Sequence, residues 1–148
     1  MKPEEFTQQL AQIGIDIQQL ADDYAPVIAG KTAADFFAEN FQRQGFLNQS
    51  INPWQDVLRR TKPRNTPKGQ TAAGRQILFG ETRNLSRSID YQATNGQVIV
   101  YSDVRYAPYH NEGTDKLPKR QFIGDSEKLN ELVIAEIERK LKNIPKNK

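Results

Sequence analysis

The residues with the most chemical potential sit close together near the middle of the second half of the chain. The only histidine, His110, lies in the run His110-Asn111-Glu112-Gly113. A metal centre or an activated nucleophile needs a partner set, and a histidine and a glutamate two positions apart make a weak one. No His-Glu-x-x-His pair accompanies them, and no Gly-rich phosphate loop or Gly-x-Ser-x-Gly elbow occurs. Asp103, Glu112, Asp115 and Asp125 are loosely grouped in sequence, and a carboxylate pair among them would need a geometry that spacing alone does not supply. His110 is therefore expected to be an imidazole hydrogen-bonded in a turn. A hydrolase built on His110 with Glu112 or Asp115 is the enzymatic alternative. No catalytic, cofactor-binding or metal-binding residue is assigned.

The second chemical feature is charge. Between Asp56 and Glu81 there is no acid, while Arg59, Arg60, Lys62, Arg64, Lys68 and Arg75 all fall there. Up to Asp56 the chain holds three Lys/Arg against eight Asp/Glu; from Val57 onward it holds eighteen against ten, and the whole is +3. Such polarity suits head-to-tail association, an acidic partner, or an ordinary solvated surface. Phosphate contacts need only positive side chains. Nucleic-acid modules, however, usually interleave aromatics with their cations, and no aromatic falls within residues 59–75, Trp54 lying just before them. A nucleic-acid-binding module using residues 59–87 is kept as an alternative function.

These residues must be positioned by a chain of 148 residues without cysteine. That length suits one domain with its own core. Disulfide scaffolds, Cys-ligated zinc and thiol catalysis are excluded. The start Met1-Lys2-Pro3-Glu4-Glu5-Phe6 lacks the apolar core of a signal peptide, and no apolar run approaches a membrane span. Both lead to the expectation of synthesis in the cytoplasm without membrane contact.

Residues 1–43 read as helical. Phe6, Leu10, Ile13, Ile17, Leu20 and Tyr24 form a heptad-like stripe that suits packing on its own domain or a seam between subunits. Gly14 weakens that helix by about 1 kcal/mol relative to Ala. Pro26 kinks the helix or starts a second one, whose stripe is Ala34, Phe37, Ala38 and Phe41. Gly45 is the expected stop. Residues 44–75, with Pro53, Pro63, Pro67, Gly69 and Gly74, read as one long basic loop, anchored by Trp54 with Val57 and Leu58 beside it. Residues 76–148 read as sheet plus helix. Ile77-Leu78-Phe79 is a short apolar stub of open type, and Thr82–Arg87 carries weak helix-start chemistry. Ile89, Tyr91 and Ala93, then Asn95-Gly96, then Val98-Ile99-Val100-Tyr101, predict a β-hairpin closed by a type I′ turn. Its second strand is apolar on both faces, so the outer face needs a cover. Tyr106–Gly113 reads as a connector, and Asp125 or Ser126 caps a last helix with core face Leu129, Leu132, Val133, Ile137 and Leu141, ending near Pro145. The expected fold is α+β: an antiparallel sheet of three to five strands against a long N-terminal helix and a C-terminal amphipathic helix.

The order of Trp54, Ile77-Leu78, Thr82-Arg83-Asn84-Leu85, Ser88-Ile89, Tyr106-Ala107-Pro108-Tyr109-His110-Asn111-Glu112-Gly113 and Pro118-Lys119-Arg120-Gln121-Phe122-Ile123-Gly124 resembles the phage virion morphogenesis family. That family includes tail completion proteins of P2-like and Mu-like phages and is similar to siphophage tail-completion and neck proteins. The match covers roughly residues 50–142. Arg83 stands where the family commonly has glycine, and Gln121 where it commonly has proline. The resemblance implies a non-enzymatic assembly protein without cofactor, acting in tail completion or head–tail joining. Its partners would be other tail or neck proteins, in a homo-oligomeric ring, with non-specific DNA contact a further possibility. The protein would be made in the host cytoplasm and end in the virion. Trp54, Leu85, Tyr106, His110, Gly113, Pro118, Arg120 and Phe122 would be structural. Apart from the resemblance, charge and length alone mark Arg59, Arg60, Lys62, Arg64, Lys68 and Arg75 as the expected contacts for a neighbouring subunit, a tail-tube protein or DNA.

Overall fold

The structure is a computed structural model, and it describes residues 2–5, 8, 17–80 and 82–143. Phe6, Leu10, Ile13 and Gly14, and the end of the chain including Pro145, lie outside them.

Pro26 shapes the helical N-terminal part. A single helical turn, Ile17–Gln19, runs into a π-helical turn, Leu20–Tyr24, and then into α1, Ala25–Arg43, with Pro26 in its first turn. Proline has no N–H, so it cannot donate to the carbonyl four residues back. Here Ala25 N–H reaches the Leu20 carbonyl in the wider π pattern. The Asp22 carbonyl, which Pro26 leaves without its helical donor, accepts from Gly96 N–H at 3.3 Å. The helical run therefore continues from Ile17 to Arg43, and the bulge that absorbs Pro26 also anchors the hairpin tip.

α1 does not stop at Gly45. Gln44 takes the left-handed position itself (φ 56°), and its backbone N–H donates to the Asn40 carbonyl. Its side chain offsets that strained position. Nε2 donates to the carbonyls of Phe41 (2.7 Å) and Ile77 (3.0 Å), and Oε1 accepts from Ile77 N–H at 2.6 Å. Gly45 is instead the first residue of a strand, where a Cβ would lie 2.6 Å from the Asn52 carbonyl oxygen.

The expected single sheet of three to five strands is not formed. Among the described residues there are two separate antiparallel hairpins: β1 (Gly45–Leu47) with β2 (Ile51–Pro53), and β3 (Ile89–Thr94) with β4 (Gln97–Ser102). The α+β class holds. The span 44–75 is likewise not one loop. After β1 and β2 come α2 (Leu58–Thr61) and α3 (Pro67–Ala73), the latter capped by Thr66, whose side chain accepts from Gly69 N–H at 2.9 Å.

The β3–β4 hairpin follows the expected register, Thr94 opposite Gln97 across Asn95-Gly96. Only Gly96 has a positive φ in that turn, 70°. A type I′ turn needs positive φ at both central residues, so that turn type is corrected. The hairpin's inner face packs on α1 at Gly30, where a Cβ would lie 2.7 Å from Val98 and would also strike the Tyr91 ring. Its outer face leaves Ile99 (61%) and Tyr101 exposed.

The remaining elements are α4 (Asn84–Arg87), α5 (Ala107–Glu112) and α6 (Glu127–Lys142). Ser126 caps α6 by accepting from Leu129 N–H. Leu129 and Leu141 of the expected face are buried, Val133 and Ile137 are half-buried, and Leu132 lies exposed. Two apolar clusters result. Ala33, Phe36, Phe37, Phe46 and Leu129 join α1, β1 and α6. Phe41, Trp54, Ile77, Phe79, Leu85, Ala107 and Phe122 gather the irregular segments around the end of α1. Val57 packs against the second cluster as expected, but Leu58 is 73% exposed and is not part of it.

Gly30→Ala is expected to destabilise the protein by about 1–3 kcal/mol, because the added methyl overpacks a close helix–hairpin contact. Urea unfolding checks this; an unchanged midpoint would refute the close contact.

Candidate functional site

The residues singled out by sequence converge on one face. Trp54 is buried edge-to-face on Phe41, ring centroids 5.5 Å apart, and its Nε1 donates to the Gln121 carbonyl at 2.8 Å. Arg120 is only 5% exposed. Its Nε donates to the Gln55 carbonyl (2.8 Å), its Nη2 to the Asp56 carbonyl (3.2 Å), and its backbone N–H to the His110 carbonyl (2.8 Å). Phe122 is buried against Phe41, centroids 5.1 Å apart. Gly113 (φ 78°) closes α5, and a Cβ there would sit 2.9 Å from Lys119 N. Pro118 is half-buried in the segment that Gly113 approaches.

Two residues outside the expected set complete this junction. Asn111 Oδ1 accepts from the N–H groups of Phe122 (2.8 Å) and Ile123 (2.9 Å), and its Nδ2 donates to the Ile123 carbonyl at 3.2 Å. Asn40, fully buried, donates from Nδ2 to the Phe122 carbonyl at 3.0 Å. Asn111 lies inside the run Tyr106–Gly113 but is given no role by the sequence, and no signal along the chain sets Asn40 apart from other asparagines of a helix.

The cations divide into two groups. Arg60, Lys62, Arg64 and Lys68 are exposed on an arm made of α2 and α3. A hollow of about 690 Å³ between these helices is lined by Arg59, Lys62, Arg64 and Lys68 and by no acid. Arg60 faces Asp56 at 3.6 Å, an exposed pair that adds little. Arg59 ties the arm down, with Nε to the Ala72 carbonyl (3.2 Å) and Nη2 to the Gln76 carbonyl (2.6 Å).

Arg59 then turns toward a second pocket, of about 400 Å³, together with Arg75, Arg120, His110, Tyr106 and Asn84. Val57, Leu78, Phe79, Leu85 and Leu117 supply its apolar part. Burial, then the neighbouring guanidiniums, lower the pKa of Arg59; burial, then Arg59, lowers that of Arg120. Both stay charged at neutral pH, as arginines in proteins do.

His110 lies on α5 beside Tyr106, ring centroids 5.9 Å apart in an edge-on arrangement. The expected turn and hydrogen-bonded imidazole are both corrected: the residue is helical, and its Nδ1 is buried without a hydrogen-bond partner. Burial and then Arg120 push its pKa below the ordinary 6.5. Asp103, Glu112, Asp115 and Asp125 are all exposed, and none lines the pocket with His110. Among the described residues no three His, Asp or Glu side chains are grouped to hold a metal ion, and no helix is long and apolar enough to cross a membrane. The site offers fixed positive charge and hydrogen-bond donors above an apolar floor.

The chain matches no family model, no curated protein and no solved structure.

Because the folded protein disfavours the charged imidazole, the unfolded chain takes up the His110 proton first as pH falls. The stability tied to neutral His110 is therefore fully present above pH 6.5 and is lost as pH drops through the lower folded midpoint. His110→Gln is expected to remove this component. Urea midpoints of both proteins, compared at pH values of about 7.5 and about 5, check it: parallel losses in the two would refute the lowered pKa.

Proposed function

We propose that this chain is a non-enzymatic assembly protein of a tailed bacteriophage or prophage, acting in tail completion or head–tail joining. The observation that carries the reading is the mutual contact of the residues behind the resemblance. Trp54 bonds the Gln121 backbone, Arg120 bonds Gln55, Asp56 and His110, and Asn111 bonds Phe122 and Ile123. Residues scattered along the sequence thus act as one structural lock. Arg83 adds support. It occupies the position where the family commonly has glycine, and it adopts a left-handed backbone (φ 56°), which glycine takes at little cost.

A lock of this kind rigidifies a surface instead of arranging a reaction. The surface it stiffens carries the exposed arm of α2 and α3. That arm is the natural contact for other tail or neck proteins, and a head-to-tail contact that closes gives a homo-oligomeric ring. The protein would be made in the host cytoplasm and finish in the virion, with no cofactor. Deleting its gene from the phage or prophage is expected to leave separate heads and tails, or tails of abnormal ends, in induced lysates viewed by electron microscopy. Normal infectious virions would refute the proposal.

The acid-free hollow lined by Arg59, Lys62, Arg64 and Lys68 favours a second reading, contact with DNA. Binding would then weaken linearly in log salt, by about 0.9 for each phosphate neutralised. Changing Lys62, Arg64 and Lys68 together to Gln is expected to flatten that slope if DNA is the partner. If proteins alone are the partners, the same variant fails in assembly while any DNA retention of the wild type is unaltered.

A further inference from the structure

We propose that the pocket shared by Arg59, Arg120 and His110 binds a carboxylate carried on an apolar body, presented by a protein partner. The identity of the partner as an assembly protein rests on the function proposed above; the chemistry of the pocket does not.

Arg59 and Arg120 are both withdrawn from solvent, Arg59 in part and Arg120 almost wholly. Each guanidinium is held by backbone carbonyls through Nε and Nη2, and neither forms an ion pair with a carboxylate among the described residues. Each keeps its Nη1 outside those bonds. Arg59 disfavours the charge of Arg120, Arg75 and Arg60 disfavour that of Arg59, and the Asp56 carboxylate partly offsets both. Asp56, the carboxylate that acts on both, is exposed and pairs with Arg60 instead. Two partly buried cations bordering one hollow with so little compensation among the described residues are a costly arrangement, and an entering anion relieves it. His110 is a second sign. A buried ring nitrogen without a partner is rare in a settled core, and this one belongs to a pocket wall.

The pocket's other residues select among anions. Leu78, Phe79, Leu85 and Leu117 give it an apolar floor that a bare phosphate would not use. Nucleic-acid backbone would more readily meet the protruding Lys62, Arg64 and Lys68 than guanidiniums withdrawn against backbone. A volume of about 400 Å³ fits one large side chain or two small ones. An acidic residue beside an aromatic or aliphatic one, on a protein surface, matches both halves.

The test is a titration of the full-length protein with 4-phenylbutyrate, followed by NMR on the Leu78 and Leu85 methyls and the His110 ring. Saturable shifts confined to these groups are expected. 4-Phenylbutyramide and inorganic phosphate should each bind at least ~10-fold more weakly, since one lacks the charge and the other the apolar body. Arg59→Gln should weaken phenylbutyrate ~10-fold or more, Arg59→Lys less, and Lys68→Gln less than ~2-fold. With the anion bound, the single histidine should titrate at higher pH, because a negative charge now faces it. Equal binding of the amide overturns the proposal. So does an Arg59→Gln protein that folds and binds as the wild type does, or displacement of phenylbutyrate by a thymidine decamer at the same residues. Should phenylbutyrate fail to bind while gene deletion blocks virion assembly, this inference falls and the assembly reading stands. The reverse pair of results overturns the assembly reading and leaves the anion site.

Discussion

Asn40 is the constraint on which this fold depends. Its carboxamide is wholly enclosed near the end of α1, where Nδ2 donates to the Phe122 carbonyl and Oδ1 accepts from Leu47 N–H and Arg43 Nη1. One side chain thereby joins the helix, the first hairpin and the segment entering α6. Gln44, one turn on, does the same for the Ile77 stub, and Asn111 does it for Phe122 and Ile123. Where a larger sheet would satisfy these backbone groups through a ladder, three amide side chains satisfy them here. Buried backbone donors and acceptors must find partners somewhere. The irregular core around Phe41 is possible because those partners are supplied by side chains of fixed geometry.

That substitution explains what the sequence revealed and what it hid. The Asn95-Gly96 hairpin, the α6 cap and the anchoring of Trp54 were legible, because each follows from local rules of turn, cap or apolar bulk. The sheet was overestimated for the same reason. Apolar stubs such as Ile77–Phe79 and Phe122-Ile123 look like strands by composition, and only three-dimensional placement tells that an amide, not a neighbouring strand, meets their backbone. β1 and β2 left almost no trace, being three residues each, with Pro53 in one of them. The site was legible in pieces. Arg59 and Arg75 stood out as charge, and His110 and Arg120 as motif. No pattern along the chain shows that all four border one pocket.

The positive residues of this face are of two physical kinds, although composition counts them alike. Lys62, Arg64 and Lys68 project into water, where salt screens them and their main effect is on encounter and orientation. Arg59 and Arg120 are partly withdrawn from solvent and held rigid by carbonyls, where charge is costly to keep and correspondingly valuable to a matched partner. A single face can thus attract broadly at its rim and discriminate within.

The π-helical turn before Pro26 has a further consequence. It inserts one extra residue into the helical count, and each residue advances an α-helix by about 100°. The Ile17–Gln19 turn and α1 are therefore out of phase with one another. The interval from Leu20 to Pro26 acts as a dial. Removing one residue within it would take away the wider turn that absorbs Pro26, rotate the preceding turn by over a quarter of a circle and draw the Asp22 carbonyl away from Gly96. Chain length there, more than side-chain identity, decides how the Ile17–Gln19 turn is oriented on α1.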